Sequence, residues 1–127
     1  KRQPTEQELQ DMEFGMRMAR EIGRLDVGQT VVVKQQAVMA LEAIEGTDAC
    51  IRRGGELARG GAVVAKTAKP DLDLRFDVPA VGMKTMAIMV ETGAAALVIE
   101  AGRTLLIEQD RVVALAEAHD ITIVAME

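Results

Sequence analysis

Two short runs of this chain, Ala62-Val63-Val64-Ala65 and Ala94 through Ile99, are apolar at every position. A strand with one wetted face alternates apolar and polar residues, whereas an unbroken apolar run belongs to a strand buried on both faces. A chain holding two such strands must cover its sheet with helices. The rest of the sequence supplies them. Thr5 and Glu8 form a capping box after Pro4, and Leu9, Met12, Met16, Ala19 and Ile22 recur at helical spacing, ending near Gly23 or Gly28. The methionines there read as core filler. Thr30-Val31-Val32-Val33-Lys34 is a β-branched strand, Gln35 and Gln36 a turn, and Ala37 to Ile44 a second strand. The pair reads as a hairpin, although it lacks the Asn-Gly or Asp-Gly turn that favours one. Helices follow at Ala49 to Arg59, Met83 to Thr92 and Gln109 to His119, separated by Gly60-Gly61 and Gly93. Pro79 to Gly82 reads as a turn, Thr104 to Ile107 as a short strand pairing with the Ala94 to Glu100 strand, and Ile121 to Val124 as a last strand. The expectation is a single α/β domain over 1–127: a mixed β-sheet covered by helices, with an N-terminal helix and β-hairpin.

Composition narrows the function. Among 127 residues there are two Phe, no Trp and no Tyr, so the aromatic platforms of single-strand binders are missing. A net charge of −5 argues further against a nucleic-acid partner. One cysteine, Cys50, makes no internal disulfide, and with one histidine, His119, there is no zinc cluster. His119 reads as a residue at a helix C-terminus. No signal peptide is visible, and no apolar run approaches the roughly 20 residues of a membrane span. The chain begins at Lys1 without a methionine, as a piece of a longer protein would.

Two segments carry groups that could do chemistry. Asp71 to Val78, between Lys66, Lys69, Pro70 and Pro79, alternates strictly. As a strand it would bury Leu72, Leu74, Phe76 and Val78 and hold out Asp71, Asp73, Arg75 and Asp77. Carboxylates beside lysines and an arginine suit metal-assisted or phosphate chemistry, and equally suit the solvated face of an edge strand. The second segment is Glu42, Glu45, Gly46, Thr47 and Asp48, at the junction of a strand and a helix. Asp48 could simply cap that helix and Glu45 complement its dipole. Alternatively, Gly46 and Thr47 could donate hydrogen bonds to a phosphate at a strand-end loop. No P-loop and no G-x-G-x-x-G is present.

Taken in order, Glu45-Gly46-Thr47-Asp48, Ile51-Arg52-Arg53, Lys66, Lys69-Pro70, Arg75-Phe76-Asp77-Val78-Pro79, Gly82 and Thr85 resemble the C-terminal domain of LpxI-type UDP-2,3-diacylglucosamine pyrophosphatases. The resemblance runs from the helix after Thr5, through Arg20-Glu21-Ile22-Gly23-Arg24-Leu25-Asp26, to the last strand. It implies a Mg²⁺-dependent hydrolase (Mn²⁺ serving as well) of lipid A biosynthesis, with water splitting the substrate into UMP and 2,3-diacylglucosamine 1-phosphate (lipid X). It singles out Asp77 as the catalytic carboxylate and metal ligand, with Asp48 and Glu45 as further candidate ligands. Lys66, Lys69, Arg75, Arg52, Gly46 and Thr47 become candidate substrate contacts. Met83, Met86, Met89 and Val90 could offer apolar surface to acyl chains, though core packing is the commoner role. Members of the family carry an additional N-terminal domain, so the resemblance implies a missing half of the site. The chain is then expected to fold alone, hydrolyse little, form a homodimer, and stay cytoplasmic, with at most peripheral contact with the inner membrane. The competing expectation is a non-catalytic binding or oligomerisation module of similar fold.

Overall fold

A computed structural model describes residues 3–68 and 79–127. The charged run from Asp71 to Val78, with Lys69, Arg75 and Asp77, lies outside the described residues. Helix α1 (Glu6–Arg24) starts on the expected capping box: Thr5 accepts from the Glu8 N–H while the Glu8 carboxylate accepts from the Thr5 N–H. Strands β1 (Thr30–Lys34) and β2 (Ala37–Leu41) then form the hairpin, followed by α2 (Thr47–Ala58) and β3 (Val63–Lys66). Next come β4 (Ala80–Val81), α3 (Met83–Thr92), β5 (Ala96–Glu100), β6 (Leu105–Leu106), α4 (Gln109–Ala118) and β7 (Thr122–Met126).

The main sheet has the order β2-β1-β3-β5-β7. The first three strands are antiparallel neighbours and the last three parallel ones. Register lines up Val31, Ala65, Val98 and Val124 across one face, and Val32, Val64, Leu97 and Ile123 across the other. The first row packs under α1, against Met12, Met16 and Ala19. The second packs under α2, α3 and α4, against Ile51, Met86, Met89 and Val112. Three layers result, and the two apolar runs lie in the middle one, covered on both faces as their patterning requires. Met86 and Met89 are wholly buried there and offer no surface to a ligand.

Thr104 to Ile107 does not pair with β5. Both edges of β5 are taken by β3 and β7, so β6 pairs instead with β4 in a separate two-stranded parallel sheet. That pairing also makes a strand of part of the expected turn at Pro79 to Gly82. The hairpin turn does fall at Gln35 and Gln36, both left-handed with φ of 51° and 58°, the conformation of a two-residue turn that normally demands Asn-Gly. Its stabiliser lies 24 residues upstream. The buried Asp11 carboxylate on α1 accepts from the Gln35 N–H (3.1 Å) and the Gln36 N–H (2.8 Å). A turn poor in local signal is thus held by the helix that covers the sheet.

Helix α2 approaches β1 so closely that a Cβ on Gly54 would lie 2.5 Å from Val32 Cβ, and one on Gly55 2.5 Å from Thr92 Cβ. Two predictions follow from this packing. Asp11→Ala should lower unfolding free energy by about 2 kcal/mol by leaving two turn donors unpaired, while Gln36→Gly should raise it by about 1 kcal/mol by relieving the left-handed residue. Urea melts of both variants read this directly, and equal or reversed shifts would refute the brace. Gly54→Ala should destabilise despite alanine's better helix propensity, since overpacking costs about 1–3 kcal/mol against a propensity gain of about 1 kcal/mol.

Candidate functional site

In a parallel sheet the loops after the strands gather at one edge, where ligands of α/β domains bind. Here β3 and β5 end at that edge, antiparallel β1 begins there, and β2 ends there. Helix α1 finishes at the same edge, and α2 and α3 start from it. At the centre is Lys66, the last residue of β3, only 8% exposed. Its Nζ donates to the Ala80 carbonyl at 3.3 Å. Burial pushes the Lys66 pKa down, and the charges of Glu42 and Asp48 only partly restore it. A lysine kept in such a place retains two donor positions for an anion that brings its own charge.

The surrounding polar groups come from four elements. Asp48, in the first turn of α2, accepts through Oδ1 from the Thr85 hydroxyl of α3 at 2.7 Å. Asp48 is therefore not the helix cap; Gly46 is, with φ of 92°, a conformation that favours glycine. A Cβ there would touch nothing within 4 Å, so the backbone at the α2 N-terminus stands open. Thr47 donates to Glu42 Oε1 at 3.3 Å and accepts from the Thr30 hydroxyl at 3.3 Å. Glu42 also accepts from the Gln29 N–H. Gly28 lets β1 enter beside β2, since a Cβ on it would lie 2.2 Å from the Glu42 carbonyl oxygen.

Of the expected site residues, the structure brings Lys66, Gly46, Thr47 and Asp48 to one place. Glu45 sits beside them but is engaged by Arg53, which donates from Nη2 at 2.6 Å and Nε at 3.2 Å and holds its pKa down. Arg52 points elsewhere, pairing with Glu91 of α3 and lining a cavity with Gly55, Arg59 and Gly93. Lys69, Arg75 and Asp77 lie outside the described residues, in the sequence between Ala68 and Pro79. Among the described residues no three acidic, histidine or cysteine side chains form a metal-binding group.

Reading the sequence missed a second set at this edge. Glu100, ending β5, accepts from the Thr67 hydroxyl and from the Ala68 N–H (2.7 Å), and Arg20 of α1 donates to it at 3.2 Å. Burial works to raise the Glu100 pKa, but these three donors outweigh it and hold it low. The only signal was the Arg20 to Asp26 run; the partners lie 33 and 80 residues apart in sequence. Cys50 is a buried thiol pushed up to about 12, chiefly by burial, and stays protonated. His119 caps the C-terminus of α4 as expected.

Buried Lys66 generates a pH prediction. Its pKa is lower in the folded than in the unfolded chain, so the penalty for burying its charge is present at neutral pH and fades as pH rises toward the ordinary lysine value of about 10.4. Lys66→Met should therefore raise stability at pH 7, with the gain shrinking toward pH 10. Denaturant midpoints at the two pH values test this, and a Lys66→Met variant less stable at pH 7 would contradict it.

The sequence model of the LpxI C-terminal domain family matches residues 1–124. The UDP-2,3-diacylglucosamine pyrophosphatase LpxI of Caulobacter vibrioides is 41% identical over 122 residues, covering 90% of this chain and 44% of that protein. The chain thus spans less than half the length of this curated relative.

Proposed function

This chain belongs to the LpxI C-terminal domain family, and from that premise we propose that it forms part of a hydrolase cleaving the diphosphate of UDP-2,3-diacylglucosamine, releasing UMP and lipid X. The observation that carries the reading is Lys66: a buried ammonium at the carboxyl edge of the sheet, beside the N-termini of α2 and α3. Two helix N-termini and a desolvated cation favour an anion, and their pull strengthens where water is excluded. In this reading Lys66 binds a diphosphate oxygen, and the open backbone at Gly46 and Thr47 donates to another. Lys69 and Arg75 would add charge to the same group, and Asp77 would orient the attacking water. Asp48 keeps Oδ2 free of partners among the described residues and suits an oxygen-ligated cation, and Asp77 would join it. Mg²⁺ bound there would draw charge off the phosphoryl oxygens. Glu45, held by Arg53, fits that role less well than Asp48 does.

A glycolipid also needs apolar surface. Leu25, Val27, Leu41 and Ile44 are exposed, and the close approach of Gly28 to Glu42 gathers them at one rim of the site. Acyl chains, or the membrane surface that presents them, would lie against this rim. Among the described residues no helix is long and apolar enough to cross a membrane. The extra length of the relative is room for a second domain that completes the grip on substrate, and homodimer formation belongs to the same proposal.

The test is UMP release from UDP-2,3-diacylglucosamine by the full-length protein with Mg²⁺. Lys66→Ala, Asp48→Asn and Asp77→Ala should each lower kcat about a hundredfold or more. Lys34→Ala should leave kcat within about threefold, since Lys34 only donates to the Ala58 carbonyl at the opposite edge. If Asp77→Ala and Lys66→Ala turn over like Lys34→Ala, the chain is a binding or oligomerisation module instead.

A further inference from the structure

The first turns of α2 and α3 meet at the Lys66 edge, and neither helix is capped by a side chain. Their N-cap residues are Gly46 and Gly82, which leave the first N–H groups of each helix to whatever approaches from the edge. Asp48 and Thr85 are residue types that cap helices readily, and each lies in the first turn of its own helix. Each is instead engaged with the other: the Thr85 hydroxyl donates to Asp48 Oδ1 at 2.7 Å. The consequence is electrostatic. Asp48 is a half-buried carboxylate whose charge reaches Lys66, so it opposes any anion that comes to the same ammonium. Released from Thr85, it would be free to close on Lys66 or on the open N–H groups of α2, and a group of the chain itself would fill the place of the anion. Among the described residues it does neither: Asp48 forms no ion pair with Lys66, whose Nζ donates only to the Ala80 carbonyl. Glu42, the other carboxylate that acts on Lys66, is restrained in the same manner, its Oε1 accepting from the Thr47 hydroxyl and the Gln29 N–H. Both acids near the ammonium are thus held by donors of the chain, a pattern that a mere tie between two helices does not require.

We propose that Thr85 is a positioning residue for the anion site: its hydroxyl holds the Asp48 carboxylate off Lys66 and off the α2 N-terminus, so that these donors stay open to a phosphoryl group. The proposal rests on the reading of the Lys66 edge as the diphosphate site, and adds to it the residue that keeps the site from blocking itself.

The experiment is calorimetric titration of the full-length protein with inorganic phosphate in the absence of divalent cations. It compares wild type with Thr85→Val, Thr85→Ser, the double variant Thr85→Val/Asp48→Asn, and Lys66→Met. Thr85→Val should weaken phosphate binding about tenfold, the effect of losing a charge-assisted hydrogen bond to an internal competitor. Thr85→Ser keeps the hydroxyl and should bind within about twofold of wild type. The double variant lacks the tie between the helices as well, but its amide has no charge to set against the anion, so binding should return to wild-type strength or better. Lys66→Met should abolish binding. Urea melts of each variant establish that it is folded, and Thr85→Ala takes the place of Thr85→Val should the valine not be accommodated. Unchanged phosphate binding in Thr85→Val overturns the proposal and leaves the site at Lys66 intact. So does a double variant as weak as Thr85→Val, which would mean that the hydroxyl only ties α2 to α3. If no phosphate binds, or if Lys66→Met binds as wild type does, the anion site at Lys66 itself falls and the role of Thr85 falls with it.

Discussion

Every residue of β3 is buried, and the strand is paired on both sides, to β1 antiparallel and to β5 parallel. A strand with neither a free edge nor a wet face leaves the chain one way to place polar groups, which is at its ends. The helices must then cover both faces, α1 on one and α2 to α4 on the other. The right-handed rule for parallel crossovers sends α3 and α4 to the same side. Once those layers are set, the end of α1, the starts of α2 and α3, and the ends of β2, β3 and β5 share one edge. The candidate edge is a consequence of burying the middle strand.

Lys66 occupies the place where that constraint and chemistry collide. It is the final residue of the buried strand, and it carries a charge into a region that would suit an apolar side chain better. Glu42 and Asp48 ease its burial without cancelling it. The remaining cost is a stored preference for an anionic ligand, since a bound phosphate would offset the penalty of burying the charged form. Glu100, at the end of the neighbouring strand, shows the opposite solution: its charge is satisfied by three donors and held low in pKa. It fixes the backbone at Thr67 and Ala68, just before the segment carrying Asp77. One strand end is satisfied and the other left wanting.

Close packing explains how such a small chain, nearly without aromatics, makes a firm core. Gly54 and Gly55 bring α2 against Val32 and Thr92, and Gly15 brings α1 to Ala65, so small residues substitute contact distance for side-chain bulk. Met12, Met16, Met86 and Met89 fill the irregular spaces left over. The same economy places Asp11 under the hairpin turn, where a helix residue supplies what Gln35 and Gln36 lack.

The local patterns of the chain determined its elements. The T-x-x-E box set the start of α1, unbroken apolar runs set β3 and β5, glycines bounded α2 and α3, and the motif series pointed to its family. Each depends on residues within a few positions of one another, and such short-range physics is legible in a string of letters. The string could not show that β6 would leave β5 for β4, because edge occupancy depends on strands far away in sequence. Nor could it show that Arg52 would turn to Glu91 while Arg20 and Arg103 came to the strand ends. Lys66, Glu42, Asp48 and Thr85 become one site only because the burial of β3 brings two helix starts and three strand termini to a single edge. Long-range packing decided which charges meet, and electrostatics falls off too steeply with distance for sequence proximity to stand in for it.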